Sequence, residues 1–282
     1  MSAPDREVLC VGELLWDSLP AGLFLGGAPF NVACHLRVAG IPAAIVSRVG
    51  SDRLGDEARR RAERLGVAVD LVQVDKKRPT GFVSVTIDGS GNPTFDIMRD
   101  AAWDAIDITD ALLARAESAS AIVFGTLAQR SDASRNTIRR LWSGTALMVC
   151  DMNLRPPFED RDVVRASLER ADVVKVNLTE VERLAGWFDL GRTPREFAQS
   201  LSREFSCPTV VVTRGRGGAG MWRNNGWTDH PGFEVKVRDT IGAGDAFLAV
   251  LLAGLLADTR TDEILRAANR AGADVASRAG AI

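Results

Sequence analysis

The segment 239–245, with the sequence DTIGAGD, places a carboxylate directly behind a turn of small residues. Gly242, Ala243 and Gly244 leave room for an oxyanion to approach backbone N–H groups, and the apolar run at 246–257 predicts a helix whose positive end adds to that attraction. Asp245 would be well placed to take a proton from a hydroxyl that attacks a bound phosphate. The pattern therefore predicts phosphoryl transfer to an alcohol; a plain helix cap is the alternative.

A second group of polar residues could recognise the hydroxyls of an acceptor alcohol. Asp17 follows the first predicted strand, and Asn31 follows the turn of Gly26 and Gly27, which permits close approach to the backbone. Carboxylates and amides accept and donate hydrogen bonds in pairs, as sugar hydroxyls do. The alternatives are a turn residue for Asp17 and an ordinary helix-start residue for Asn31.

A third group follows a strand rich in apolar residues. Asp151, Asn153 and Arg155 lie where that strand should end, and α/β sheets bind ligands at the carboxyl edge. Arg155 precedes two prolines, which make the loop rigid, and it could contact the transferred phosphate or close over the sugar. A surface arginine without a role is the alternative.

The elements that must position these residues alternate along the chain. Buried strands are predicted at 8–13, 44–49, 121–125, 146–151, 173–177 and 209–213. Helices are predicted at 29–38, 54–65, 131–142, 161–170, 194–205, 246–257 and 262–278. This order predicts an α/β fold with a mostly parallel central sheet and helices on both faces.

One region breaks the alternation. The runs at 67–74, 81–87 and 94–98 alternate as strands do, around the turn signal DGSGNP at 88–93 and without an intervening helix. They predict a small antiparallel sheet that projects from a single domain spanning 1–282.

A dinucleotide-binding fingerprint is imitated at 215–220, where GRGGAG follows a predicted strand. That fingerprint needs a helix next, whereas Asn225 and Gly226 signal a hairpin turn. A nicotinamide-dependent oxidoreductase is therefore disfavoured. The chain also lacks the GxxxxGK[ST] phosphate loop, so the turn at 242–245 is the predicted phosphate cradle.

Composition is typical of an enzyme of the cytoplasm. The 282 residues are 46% hydrophobic with a net charge of −2, and the basic residues are scattered among acids, which disfavours a nucleic-acid partner. The longest apolar run is too short to span a membrane, and the first residues have no signal-peptide pattern. Four separated cysteines indicate core residues rather than a zinc site or disulfides.

The chain resembles the ribokinase-like carbohydrate kinases, also called the phosphofructokinase B family. DTIGAGD at 239–245 and GGAPFNVA at 26–33 resemble the two signatures of this family, and DMNLR at 151–155, NLTE at 177–180 and TRG at 213–215 match further elements. GELLWD at 12–17 and AAWD at 101–104 are most similar to its fructokinase branch.

The resemblance implies ATP as phosphoryl donor and Mg²⁺ held through water by Glu180, although Glu180 also fits a helix-capping box with Asn177. For some members it implies K⁺ beside Asp239. In this family such a small sheet is a lid over the sugar, which implies a β lid with segments at about 13–26 and 67–100, from which Arg99 could reach the sugar. The lid is also often a dimer surface, which predicts a homodimer. We expect Asp245 to keep an ordinary pKa near ~4. The nucleotide contacts implied are Asn177, Thr213, Gly215, Gly218 and, at the adenine end, Asn269.

The predicted reaction is ATP-dependent phosphorylation of a primary hydroxyl of a free sugar, D-fructose being the expected acceptor. Asp245 is the predicted base and the 242–245 turn the anion hole. Ribose, 2-keto-3-deoxygluconate, nucleosides and sugar phosphates are the rival acceptors. A sugar- or nucleotide-binding regulator without catalysis is the alternative from another class.

Overall fold

The computed structural model describes residues 7–19, 22–87, 93–278 and 280–282, with the backbone alone at 85–87 and 93–95. Its strands are β1 (Val8–Val11), β2 (Leu15–Leu19), β3 (Gly22–Gly26), β4 (Ala43–Gly50), β5 (Val72–Asp75), β6 (Gly81–Ile87), β7 (Pro93–Ile97), β8 (Ala121–Gly125), β9 (Leu147–Asp151), β10 (Val173–Asn177), β11 (Thr209–Thr213), β12 (Ala219–Arg223) and β13 (Gly226–His230). Its α-helices are α1 (Ala28–Val38), α2 (Arg53–Arg64), α3 (Asp110–Ser118), α4 (Asp132–Leu141), α5 (Arg161–Arg170), α6 (Leu178–Phe188), α7 (Pro194–Phe205), α8 (Ala243–Leu256) and α9 (Thr261–Ala276). Short 3₁₀ helices cover Ala102–Ala105, Leu127–Arg130 and Gly215–Gly217.

Nine of the described strands form one large sheet in the order β13-β12-β11-β10-β9-β8-β1-β4-β5. The seven strands from β11 to β5 in that order run parallel, and β12 and β13 add an antiparallel edge. This confirms the predicted α/β fold with a mostly parallel sheet. Parallel strands end at one common edge, so the polar residues that follow β1, β9, β10 and β11 are brought together there.

Helices cover both faces of the large sheet because its strands are apolar on both sides. Along β10, Val174 and Val176 pack into one core with α3 to α7, whereas Val173 packs into a second core with α1, α2, α8 and α9. Strands buried on both faces read as continuous apolar runs, which explains why the sequence located them well. Within the described residues, no helix has the length and apolar character needed to cross a bilayer.

The predicted small sheet is present, with the order β3-β2-β6-β7. The pairs β2–β3 and β6–β7 are antiparallel, and the central pair β2–β6 is parallel. The expectation that residues 67–80 belong to this lid was wrong: β5 pairs with β4 in the large sheet, where Val72 is buried. A short alternating run cannot by itself select which sheet it joins. The predicted turn at 88–93 lies, apart from Pro93, outside the described residues.

The segment that follows the GRGGAG run at 215–220 is a hairpin, as predicted. Strands β12 and β13 are antiparallel and are joined by Asn224 and Asn225, both with positive φ, the geometry of a tight two-residue turn. Helices α3 and α6 were not among the predicted helices. For α3, Thr109, whose side chain accepts from the N–H of Leu112, was an available cap signal, and for α6 only the capping box at 177–180 was identified.

Candidate active site

The anion turn is built by Gly242, which precedes α8 with φ +77°. A side chain there would be strained, and a Cβ would also approach Ala281 to 2.5 Å. Within the described chain, the N–H groups of Gly242 and Gly244 have no protein acceptor, while the N–H of Ala243 donates to Thr240 O at 3.3 Å. The turn therefore leaves two donors free at the positive end of a 14-residue helix, which favours an oxyanion there.

Asp245 lies in the first turn of α8 and is half-buried. Its Oδ2 accepts a 2.8 Å hydrogen bond from Nδ2 of Asn31 on α1. Burial raises the pKa of Asp245 to about 6, and Asp151 raises it further, against the hydrogen bond from Asn31 and the charges of Lys175 and Arg155. The expected pKa near ~4 was wrong, because the sequence did not reveal how much water these neighbours exclude.

A buried ion pair lies behind the turn. Lys175 Nζ on β10 is 2.8 Å and 3.0 Å from the two carboxylate oxygens of Asp151, at the end of β9. The same Nζ lies 3.4 Å from the position that a Cβ on Gly244 would occupy. Sequence analysis missed Lys175, although a lysine inside the apolar run of β10 was a signal, since buried lysines are rare unless paired.

The acceptor residues predicted at 17–31 lie on or next to β2, β3 and α1, and among them Asn31 contacts Asp245 directly. Asp17 on β2 is half-buried, and burial raises its pKa to about 6 while the charge of Arg155 opposes that rise. Gly26 lies next to it, and a Cβ at this position would displace the Asp17 carboxylate. Gly27, with φ +111°, is the cap residue of α1 and lies against the backbone of Glu13. The two glycines therefore bring β2, β3 and α1 into close contact around the site.

Arg155 is exposed on the loop after β9. Burial raises the pKa values of Asp17, Asp245 and Glu13, and the charge of Arg155 opposes that rise at all three carboxyls. Asn153, in the same loop, has φ +40° and lines a small cavity with Glu13. This arrangement is compatible with both proposed roles of Arg155, at the phosphate and at the sugar.

Arg99 stacks on the ring of Phe158, 4.8 Å from its centroid, in the loop that carries Arg155. Arg130 stacks on the same ring at 4.4 Å and is paired at 2.8 Å with Asp104. Sequence analysis did not identify Arg130. Two guanidinium groups therefore flank one aromatic ring at the lid side of the site.

The five predicted nucleotide residues all line one groove of about 970 Å³, together with Ala243 and Gly244 of the anion turn. Gly218, with φ +76°, lies so close to the backbone of 230–232 that no side chain fits. Asn269 is buried and its amide donates to Leu265 O at 2.7 Å, which leaves its carbonyl oxygen for a base edge. Phe233, Val235, Val237 and Phe247 supply the apolar wall. The groove is thus large enough for a nucleotide and reaches the anion turn.

The predicted metal residues are engaged in backbone hydrogen bonds. Glu180 is buried, and its two oxygens accept from the N–H groups of Leu154 at 2.9 Å and Asn177 at 2.8 Å, which completes the predicted capping box. Asp239 accepts from Ile241 N at 2.9 Å and Gly280 N at 3.3 Å. The described residues form no cluster of three or more acidic, histidine or cysteine side chains that could hold a metal. These donors suit an ion held by phosphates and water rather than by a protein cage.

Known proteins resemble this chain over almost its full length. The profile of the pfkB family of carbohydrate kinases matches residues 21–282. Fructokinase-2 of Solanum habrochaites is 28% identical over 98% of this chain and 92% of its own length. The structure of an uncharacterised sugar kinase of Pyrococcus horikoshii in complex with ATP has a TM-score of 0.83 at 27% identity, covering 97% of this chain and 93% of the other. The Vibrio cholerae fructokinase, solved with fructose, ADP and calcium, has a TM-score of 0.84 at 26% identity, covering 98% and 94%.

Proposed function

The chain belongs to the pfkB family of carbohydrate kinases, and on that premise we propose that it transfers the γ-phosphate of ATP to a primary hydroxyl of D-fructose. The observation that carries this proposal is the meeting of the nucleotide groove and the carboxylate of Asp245 at one glycine turn. ATP is bound in the similar Pyrococcus structure, and fructose in the similar Vibrio enzyme.

Each residue of the site has a defined task in this reaction. Asp245 accepts the proton of the attacking hydroxyl, and Asn31 orients its carboxylate. The free N–H groups of Gly242 and Gly244 stabilise negative charge on the phosphoryl oxygens, and Arg155 contributes its positive charge from the opposite loop. Closure of the lid excludes water, which would otherwise compete with the sugar as acceptor.

Magnesium bound to the phosphates would neutralise charge on the transferred group. Among the described residues, Glu180 is the carboxylate that would hold its water ligands; burial raises the pKa of Glu180, and the charge of Lys175 opposes that rise. Its two oxygens already accept from the backbone N–H groups of Leu154 and Asn177, so its action on the ion would be indirect. The same backbone contacts give Asp239 a direct structural role in shaping the turn, whether or not K⁺ binds beside it.

A neutral sugar fits the acceptor side better than an anionic one. Asp17, Asp245 and Glu13 are three carboxyls around one site, and burial raises the pKa of each. The burial that raises these pKa values also disfavours a further negative charge on the acceptor, and each carboxyl that is ionised would repel it. Arg99 and Arg130 could instead favour the carboxylate of a 2-keto sugar acid, which makes 2-keto-3-deoxygluconate the rival with a structural argument.

Steady-state kinetics with ATP and four acceptors tests the substrate. We expect kcat/KM for fructose to exceed the values for ribose, 2-keto-3-deoxygluconate and fructose 6-phosphate. A higher value for any of the three would refute the fructose assignment and leave the kinase assignment intact. If none of the four acceptors leads to release of ADP, the proposed reaction itself is contradicted.

We further propose that the small sheet joins two copies of the chain. Leu23 and Phe24 on β3 are 39% and 40% exposed, on an edge strand of that sheet. An exposed apolar edge strand of this kind is normally covered by a partner.

A further inference from the structure

Glu13 is a buried carboxyl whose bonding is incomplete. It lies between β1 and β2, and its side chain is 4% exposed. Its Oε2 has no hydrogen-bond partner within the described residues. A buried polar atom without a partner costs about 1–3 kcal/mol, so its presence at this position calls for a ligand that completes the bonding.

The position of Glu13 connects it to the acceptor site. Its backbone carbonyl lies against Gly27, where a Cβ would collide with it. Asn31 Oδ1, one turn along α1 from Gly27, is a second buried oxygen that has no partner in the described structure. The amide of the same Asn31 holds Asp245. Two buried oxygens without partners therefore belong to residues packed around the start of α1, and one of these residues also holds the proposed base.

Glu13 also lines a small cavity together with Asp151, at the end of β9, and Asn153, in the loop that follows. The free space in this cavity is about 10 Å³, which admits about one water-sized group. It is too small for a whole sugar ring but large enough for a single hydroxyl. Its walls of Pro29, Val32 and Phe124 offer few other polar partners.

We propose that Glu13 binds one non-reacting hydroxyl of the sugar and so determines which acceptor is recognised. A hydroxyl both donates and accepts, and it can complete the bonding of Oε2 whether the carboxyl is ionised or protonated. The inference rests on the proposed sugar-kinase function, but it does not depend on which sugar is the natural acceptor.

The electrostatic environment of Glu13 agrees with this role. Burial raises the pKa of Glu13 to about 7, and the charge of Asp245 adds to that rise, whereas Arg155 and Arg130 oppose it. Both protonation states are therefore accessible near neutral pH, and either can pair with a hydroxyl.

The test compares Glu13→Ala and Glu13→Gln with the wild-type protein and with Ser47→Ala. Ser47 is fully buried and its hydroxyl also has no partner in the described chain, but it lines neither the cavity nor the groove. We expect KM for fructose to rise about tenfold in Glu13→Ala and less in Glu13→Gln, with KM for ATP within about twofold of wild type, as loss of one hydrogen bond predicts. Ser47→Ala should leave both KM values unchanged.

Monodeoxy analogues of fructose identify the hydroxyl. For one analogue, the wild-type kcat/KM should fall about tenfold, while Glu13→Ala should treat that analogue and fructose alike. Equal losses for every analogue in both proteins, or an unchanged KM for fructose in active Glu13 variants, would overturn the inference. Thermal unfolding of the isosteric Glu13→Gln protein shows whether a loss of activity is only a loss of folding.

Failure of the proposed function gives a different result. If the wild-type protein phosphorylates another sugar better than fructose, the role of Glu13 is decided by comparing monodeoxy analogues of that sugar in the wild-type protein and in Glu13→Ala. If no sugar is phosphorylated, calorimetric titration of fructose into wild type and Glu13→Ala decides it. Equal affinities, or no binding to either, would refute the contact.

Discussion

The side-chain amide of Asn31 donates a 2.8 Å hydrogen bond to Oδ2 of Asp245, although 214 positions separate the two residues in the chain. Asn31 lies on α1 beside the Gly26–Gly27 turn, and Asp245 lies at the start of α8. The contact joins the residues expected to hold the sugar to the base expected to activate it. A sugar bound beside this pair would be positioned by Asn31 and deprotonated by Asp245.

Asp245→Asn should lower kcat by at least ~10³-fold while the affinities for sugar and ATP change little, because a base acts mainly in the transition state. The measurement is steady-state kinetics together with calorimetric binding of both ligands. Asp262→Asn, at an exposed carboxylate on α9, serves as the control and should keep full activity. An Asp245→Asn enzyme with most of its activity would show that another group is the base.

The acid limb of the kcat profile should fall near pH 6. Asp245 must be ionised to accept a proton, and with its pKa raised to about 6 it is about nine-tenths ionised at pH 7. We therefore expect kcat to be constant above about pH 7 and to fall about tenfold per pH unit well below 6. Stopped assays at saturating substrates from pH 4.5 to 8 measure this, with intrinsic fluorescence as a check on folding. A limb near pH 4 would contradict the burial of this carboxylate.

Lys175→Met should move that acid limb to higher pH, because the lysine charge favours the ionised form of Asp245 and unpaired Asp151 would disfavour it. Removing one partner of a buried ion pair should also destabilise the protein by about 3–5 kcal/mol. Chemical denaturation and the pH profile of kcat are the measurements. The double variant Lys175→Met/Asp151→Leu is the control and should recover part of the lost stability. If Lys175→Met alone is as stable as the wild-type protein, the ion pair is not buried as described.

Gly242→Ala should destabilise the fold by about 1–3 kcal/mol and lower kcat at least about tenfold, because φ of +77° is strained for alanine and its Cβ would meet Ala281. The matched control is Gly186→Ala in α6, where no atom lies within 4 Å of the new methyl group. That substitution should stabilise the protein by about 0.5–1 kcal/mol. Thermal unfolding with kinetics checks both, and equal effects of the two changes would refute the strained-turn argument.

Phe24→Asp should convert the proposed dimer into a monomer, because dimerisation would bury the new negative charge without an oppositely charged residue beside it. Light scattering at working concentrations measures the mass. Val38→Asp, at a residue that is 84% exposed at the end of α1, should leave the mass unchanged. A monomer mass for the wild-type protein would sink the dimer proposal.

Local patterns in the sequence were sufficient to predict most of the fold. Central strands such as β10 are apolar on both faces, and helices such as α7 have clear caps, so each is specified by residues adjacent in the chain. The edge strand β5 was assigned to the wrong sheet, since its short alternating pattern would suit either. The glycine turn at 242–244 and the capping box of Glu180 could likewise be predicted from the sequence, because each is contained within a few consecutive residues.

Only the tertiary structure decided the electrostatics of the site. The pKa of Asp245, the pairing of Lys175 with Asp151 and the incomplete bonding of Glu13 all depend on side chains from different strands and helices. Burial and charge act through space over distances of a few ångströms, and residues far apart in the chain supply them. The sequence by itself determined which chemical groups the protein carries and where its strands end. The packing of those strands and helices determined which groups lose water, and hence which of them can hold or take a proton.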